Sequence, residues 1–205
     1  MTNNKKKDKE FFEKPREAMR RFYDLLEIGY DTDDMRELID DDPDFYDPYL
    51  YVADDLREFG EFDEAIELEN EAFTRAKRHI EDKDGDWPEY MPWGHIENRH
   101  IIRALARGAD NLWFEGKTEE ALDIYRKLLH SNLNDNIGAR FAIVALRMGL
   151  SYDEYIKEVW PEPTMPVEHI TKWFSKNAPK FMDELSEWKN YCINELGISE
   201  DELFK

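Results

Sequence analysis

Two stretches of the chain, "FGEFDEAIELENEAF" from Phe59 to Phe73 and "FEGKTEEALDIYRKLL" from Phe114 to Leu129, share one layout, with an alanine five residues after a glycine. Gly60 and Ala65 in the first stand where Gly116 and Ala121 stand in the second. Glycine makes a tight turn at little steric cost, and a small residue lets two helices cross closely. Around the second turn, Leu112, Trp113, Phe114, Ala121, Leu122, Ile124, Tyr125, Leu128 and Leu129 recur at helical spacing and form two apolar stripes hinged at Gly116. Stripes of about three to four turns cannot bury their apolar faces alone. The spacing therefore predicts helical hairpins that stack on neighbours. Sustained two-residue alternation is missing, and Asp84-Gly85 sits among charges rather than between β-branched runs, so the chain reads as all-α.

The same reading predicts a helix over 10–28, a short one over 32–41 and a first clear hairpin from 46–59 and 62–80. The polar connection "EDKDGDWPEYMPW" follows, then a second hairpin from 94–115 and 118–131 and a weaker third from 135–148 and 151–160. "PEPTMP" breaks the chain before a C-terminal block, 167–204, of two or three helices.

Aligning the hairpins on Gly60, Gly116 and Gly149 places Ala53, Ala109 and Ala142 seven residues upstream of each glycine. Tyr49, Val52, Ala53, Leu56, Gly60, Ala65 and Ala72 make one unit; Leu105, Ala109, Leu112, Gly116, Ala121, Tyr125 and Leu128 make the next. This pattern resembles the tetratricopeptide repeat, a 34-residue helix–turn–helix unit, although other α-solenoid classes also use such hairpins. The chain departs from that pattern in several places. No tryptophan opens either first helix, Glu69 replaces an expected aromatic, and Glu154 replaces the alanine after Gly149. Gly60 and Gly116 lie 56 residues apart, which leaves an insertion around 81–93.

The resemblance implies a right-handed α-solenoid of TPR-like hairpins over 11–160, with a disordered polar leader over 1–10 and a C-terminal helical cap over 161–205 that either closes the open end or fills the groove. It also implies a concave groove lined by first helices that grip a partner segment. Carried over by register, the groove residues are Tyr51, Asp54, Arg103, Arg107, Asp110, Phe114, Arg140 and Ile143, with Arg99 on the same helix face as Arg103 and Arg107. Such arginines would either select an acidic protein or peptide segment or pair with neighbouring acids of the chain itself.

With 48 acidic against 28 basic residues the formal charge is −20, which reads as a solvated, self-repelling surface or as adaptation to high salt; lysine is not depleted, which argues against the second. Nucleic acid is excluded as a partner on charge. The single cysteine, Cys192, rules out an internal disulfide and sits at helical spacing from Trp188 and Leu196, as a core thiol would. With no apolar run long enough for a membrane span and no secretory signal, the expected location is cytoplasmic, with no membrane partner.

Asp82, Asp84 and Asp86 copy the first ligand positions of a calcium loop, but Trp87 and Trp93 stand where that loop requires glycine and glutamate. The expectation there is a solvated acidic loop whose Trp87, Tyr90, Met91 and Trp93 pack back on a hairpin. The expected function is thus a non-catalytic interaction scaffold without cofactor or metal. Two rivals are an enzyme or metal-dependent protein with a site assembled from dispersed residues such as His95, Glu97 and His100, and a homo-oligomeric structural element joined through exposed aromatics such as Trp160 or Trp173.

Overall fold

The computed structural model describes residues 10–161 and 167–204. Most of the expected leader, with its basic run Lys5–Lys9, lies outside these residues, as do positions 162–166 of the proline-rich break. Apart from one bridge pairing Glu10 with Tyr90, the described residues carry no β-structure. Residue contacts gather into two compact units, Met1–Asn111 and Leu112–Lys205.

The first unit holds α1 (Glu17–Ile28), α2 (Thr32–Asp41), α3 (Asp47–Glu58) and α4 (Phe62–Ile80), followed by most of α5 (Arg99–Phe114). Helix α1 begins at Glu17 rather than at the expected residue 10. Pro15 has no N–H to give an intrahelical bond, and the chain ahead of it takes other partners instead. Phe11 N donates to Tyr90 O at 2.8 Å and Glu13 N to Asn98 Oδ1 at 2.9 Å. At the start of α2, Asp31 and Asp34 cap each other's backbone N–H groups, a reciprocal arrangement that fixes the helix start. Helices α1 to α4 pack sequentially around Met19, Phe22, Met35, Leu38, Phe45 and Val52.

In the second unit α6 (Thr118–Ser131) packs on α7 (Ala139–Arg147), followed by α8 (Tyr152–Val159), α9 (Val167–Asn177) and α10 (Met182–Asn194). Trp113 stacks on Tyr155 at 4.8 Å and donates from Nε1 to Leu150 O at 2.9 Å. Helix α9 packs against α7 and α8, and α10 against α6.

All three aligned turns have the same geometry. Gly60, Gly116 and Gly149 lie at φ +83°, +80° and +78°, in the left-handed region. The N–H after each reaches back five residues: Glu61 to Leu56 O, Lys117 to Leu112 O and Leu150 to Ala145 O, at 2.9, 2.8 and 3.1 Å. The glycine N–H itself bonds the carbonyl three back in each case, which completes a Schellman cap. The aligned alanines Ala53, Ala109, Ala142, Ala65 and Ala121 are all buried. After the third turn the helix starts one residue later, because Ser151 and Glu154 form a capping box. Glu154 thus closes a helix end where the other two units pack an alanine.

Candidate partner-binding face

Helix α5 presents Arg99, Arg103 and Arg107 at four-residue intervals, and each is already engaged. The Arg99 Nε donates to Trp93 O at 3.0 Å, and its guanidinium lies 5.2 Å from the Trp93 ring centre. Arg103 forks onto the buried Asp47 carboxylate, donating from Nε at 2.8 Å and again from Nη2, and it too stands over Trp93. Burial works against the charge on Arg103, but the hydrogen bond and charge of Asp47 outweigh it and leave its pKa raised.

Arg107 bridges two acids, donating to Asp54 Oδ1 at 2.9 Å and Glu69 Oε1 at 2.8 Å. Glu69 is fully buried and receives a second arginine, Arg57, at 2.6 Å, together with Asn111 Nδ2 at 2.9 Å. The departure of Glu69 from the expected aromatic now has a physical account. A carboxylate there ties α3, α4 and α5 together through charge-assisted bonds. Asp110 lies on the same helix, half-buried. Tyr51 is half-buried with its ring edge-on to Phe22 and Tyr30, at 5.0 and 5.7 Å between centres, and the Asp54 side chain is exposed. Tyr51, Asp54, Arg103 and Arg107 therefore share one partly open, polar face of the first unit.

In the second unit the register-matched residues are covered by the chain itself. Arg140 pairs with the buried Asp135 at 2.6 Å, and its guanidinium lies within 4.2–5.6 Å of the ring centres of Phe141, Phe174 and Trp188. Asp135 also accepts from the backbone of Ala139 and Arg140, which starts α7. Arg147 pairs with Asp183 and Glu184, and Arg126 with Glu184. Ile143 is fully buried. Of the residues expected to meet a partner, Arg140 and Ile143 are thus enclosed by α9 and α10. Phe114 stands exposed beside Tyr152, at a shallow cleft that includes Gly116 and Gly149.

The sequence reading missed a buried polar cluster in the first unit. His79 Nε2 meets Glu13 Oε2 at 2.7 Å, and Tyr46 Oη lies 3.3 Å from His79 Nδ1. Burial opposes ionisation of Glu13, but the hydrogen bond and charge of His79 and the charge of Arg16 prevail and hold its pKa at about 2. His100 is fully buried, and its Nδ1 accepts the Tyr46 backbone N–H at 3.2 Å. Burial, reinforced by Arg16, pulls the His100 pKa down to about 3. Its Nε2 finds no hydrogen-bond partner among the described residues. His95 instead bonds Glu13 O at 2.6 Å and lies 3.4 Å from Glu97. Among the described residues no group of three His, Cys, Asp or Glu side chains is placed to hold a metal ion. Glu13 is separated in sequence from His79 and His100 by most of the unit, so spacing could not have announced the cluster.

The insertion loop closes on itself through Asp82, whose carboxylate accepts the backbone N–H groups of Asp84 and Asp86 at 2.8 and 3.0 Å. These bonds lower its pKa. Met91 is buried and Trp93 lies beneath Arg99 and Arg103, whereas Tyr90 is exposed and meets Phe12 edge-on. Cys192 is buried, and burial raises its pKa. No helix among the described residues is long and apolar enough to cross a membrane.

Compared with protein-family profiles, curated proteins and solved structures, the chain matches none.

Proposed function

We propose that the chain is a TPR-like helical-repeat scaffold that binds a segment of a partner protein without catalysis. The observation that carries this reading is the threefold recurrence of one Schellman turn, with an alanine at the same register upstream each time. A unit reused in this way builds by stacking and leaves first-helix faces for recognition. The face carrying Tyr51, Asp54, Arg103 and Arg107 is the best candidate, since its arginines keep about a third of their side-chain surface exposed. An acidic segment would share these guanidiniums with Asp54 rather than displace the buried Asp47 and Glu69. In the second unit α9 and α10 hold the equivalent positions, so they act as a cap that occupies the face in cis.

The test is photo-crosslinking in the native lysate, with a photoreactive amino acid placed at position 54 and, as control, at the exposed position 74 on α4. A discrete partner captured from position 54 and missing from position 74 is expected. Identical capture patterns at both positions would reject the assigned face.

A further inference from the structure

Helices α1 to α4 alternate in direction, so the α1–α2 and α3–α4 turns fall at the same end of the first unit. Two contacts tie that end together. Thr32 Oγ1 donates to Asp55 Oδ2 at 2.8 Å, and Arg36 pairs with Glu64 at 2.9 Å. Four large apolar residues emerge there into solvent: Ile28 at 80% exposure, Phe59 at 79%, Phe62 at 56% and Tyr30 at 37%. None of them is needed for the turns, which glycine and the Asp31 cap already make. Single exposed apolar residues are ordinary, but four gathered at one pole mark a contact surface.

The surroundings specify what it contacts. Glu27, Asp31, Asp33, Glu58, Glu61 and Asp63 all stand exposed at this end. No lysine, arginine or histidine among the described residues forms an ion pair with any of the six. A second copy of the chain would bring acid against acid, and an anionic membrane would be repelled in the same way.

We propose that this pole docks a basic segment of another protein, one whose apolar side chains cover Phe59 and Phe62 while its lysines or arginines meet the acidic rim. This surface adjoins the Tyr51–Arg107 face where Tyr30 meets Tyr51 edge-on at 5.7 Å, but Phe59, Phe62 and the acidic rim lie outside that face, so variants at these positions test the pole without touching the arginines.

The test uses the full chain and a fluorescein-labelled lysine–leucine amphipathic peptide, followed by anisotropy. Lysine–serine and glutamate–leucine peptides of equal length serve as comparison. The lysine–leucine peptide should bind at least about tenfold tighter than either, because only it supplies both charge and apolar area. Phe59→Ser/Phe62→Ser and Glu58→Lys/Glu61→Lys should each lose about tenfold in affinity, with unchanged circular dichroism. In the wild type, amide shifts should move at positions 27–33 and 58–63, which localises binding without relying on any variant. Equal binding of the lysine–serine peptide, variants that bind as wild type, or shifts concentrated elsewhere would overturn the proposal. So would self-association, or binding to phosphatidylcholine vesicles, that Phe59→Ser/Phe62→Ser abolishes.

Discussion

His100 and Glu13 give the first unit a built-in sensitivity to acid. His100 is neutral when folded, with a pKa near 3 against 6.5 when unfolded, so the unfolded chain binds more protons between those values. Stability therefore falls as pH drops below about 6.5. Arg16, Arg103 and His79 add to burial in resisting the charge, and Glu13 opposes them. The full shift corresponds to on the order of 5 kcal/mol. Glu13 acts with the same sign in a lower window, its contribution lost as pH falls from 4.5 through about 2. Urea unfolding between pH 8 and 4 should show this decline. His100→Phe should flatten the upper part of the curve, while lowering neutral-pH stability by about 1–3 kcal/mol because the Tyr46 N–H loses its acceptor.

Glu69 makes a second residue-scale prediction. Glu69→Ala leaves Arg57, Arg107 and Asn111 facing an empty position. Because both arginines keep some contact with water, the expected loss is about 2–3 kcal/mol rather than the larger penalty of a fully buried pair. Chemical denaturation of the variant measures it.

At the scale of elements, contacts between helices decide what a substitution does. Gly108 lies on α5 where a Cβ would come within 2.2 Å of the Phe73 ring and 2.6 Å of its Cβ. Alanine is the better helix former by about 1 kcal/mol, but overpacking costs about 1–3 kcal/mol and rests here partly on an atom next to the backbone, so packing wins. Gly108→Ala should lower the melting temperature. Gly116→Ala meets no neighbour within 4 Å but must hold φ +80°, and should cost about 1 kcal/mol. The two glycines thus fail for different reasons. Gly116 was legible in the sequence as a turn because its spacing to Ala121 repeats that of Gly60 to Ala65. Gly108 gave no such signal, since its role depends on where Phe73 of another helix comes to rest. Helices α2, α4 and α6 begin and end where periodicity and caps place them. Helix α1 does not, because residues 10–16 bond to the chain around Tyr90 and Asn98.

At the scale of the whole molecule, a charge of −20 makes each compact state self-repelling. Raising sodium chloride from about 20 to 200 mM should increase the melting temperature by about 2–4 °C, read by circular dichroism. Within the second unit, ending the chain at Pro161 would strip α9 and α10 from Ile143 and Phe141 and take Phe174 and Trp188 away from Arg140. The truncated protein should bind clearly more of a hydrophobic dye than the intact chain does, because it adds the newly uncovered Phe141 and Ile143 to the apolar surface already exposed.

The chain's pattern of apolar residues and glycines determined, without further help, that it folds into helical hairpins joined by left-handed turns. Turn geometry and helix periodicity are local properties, fixed by residues a few positions apart. Which arginines find an acid, which carboxylate is buried among them, and which face α9 and α10 cover were settled only by the tertiary structure. Apart from Arg140 with Asp135, most of those pairings join groups tens of residues apart, and the low dielectric that gives them strength exists only once the surrounding chain has excluded water.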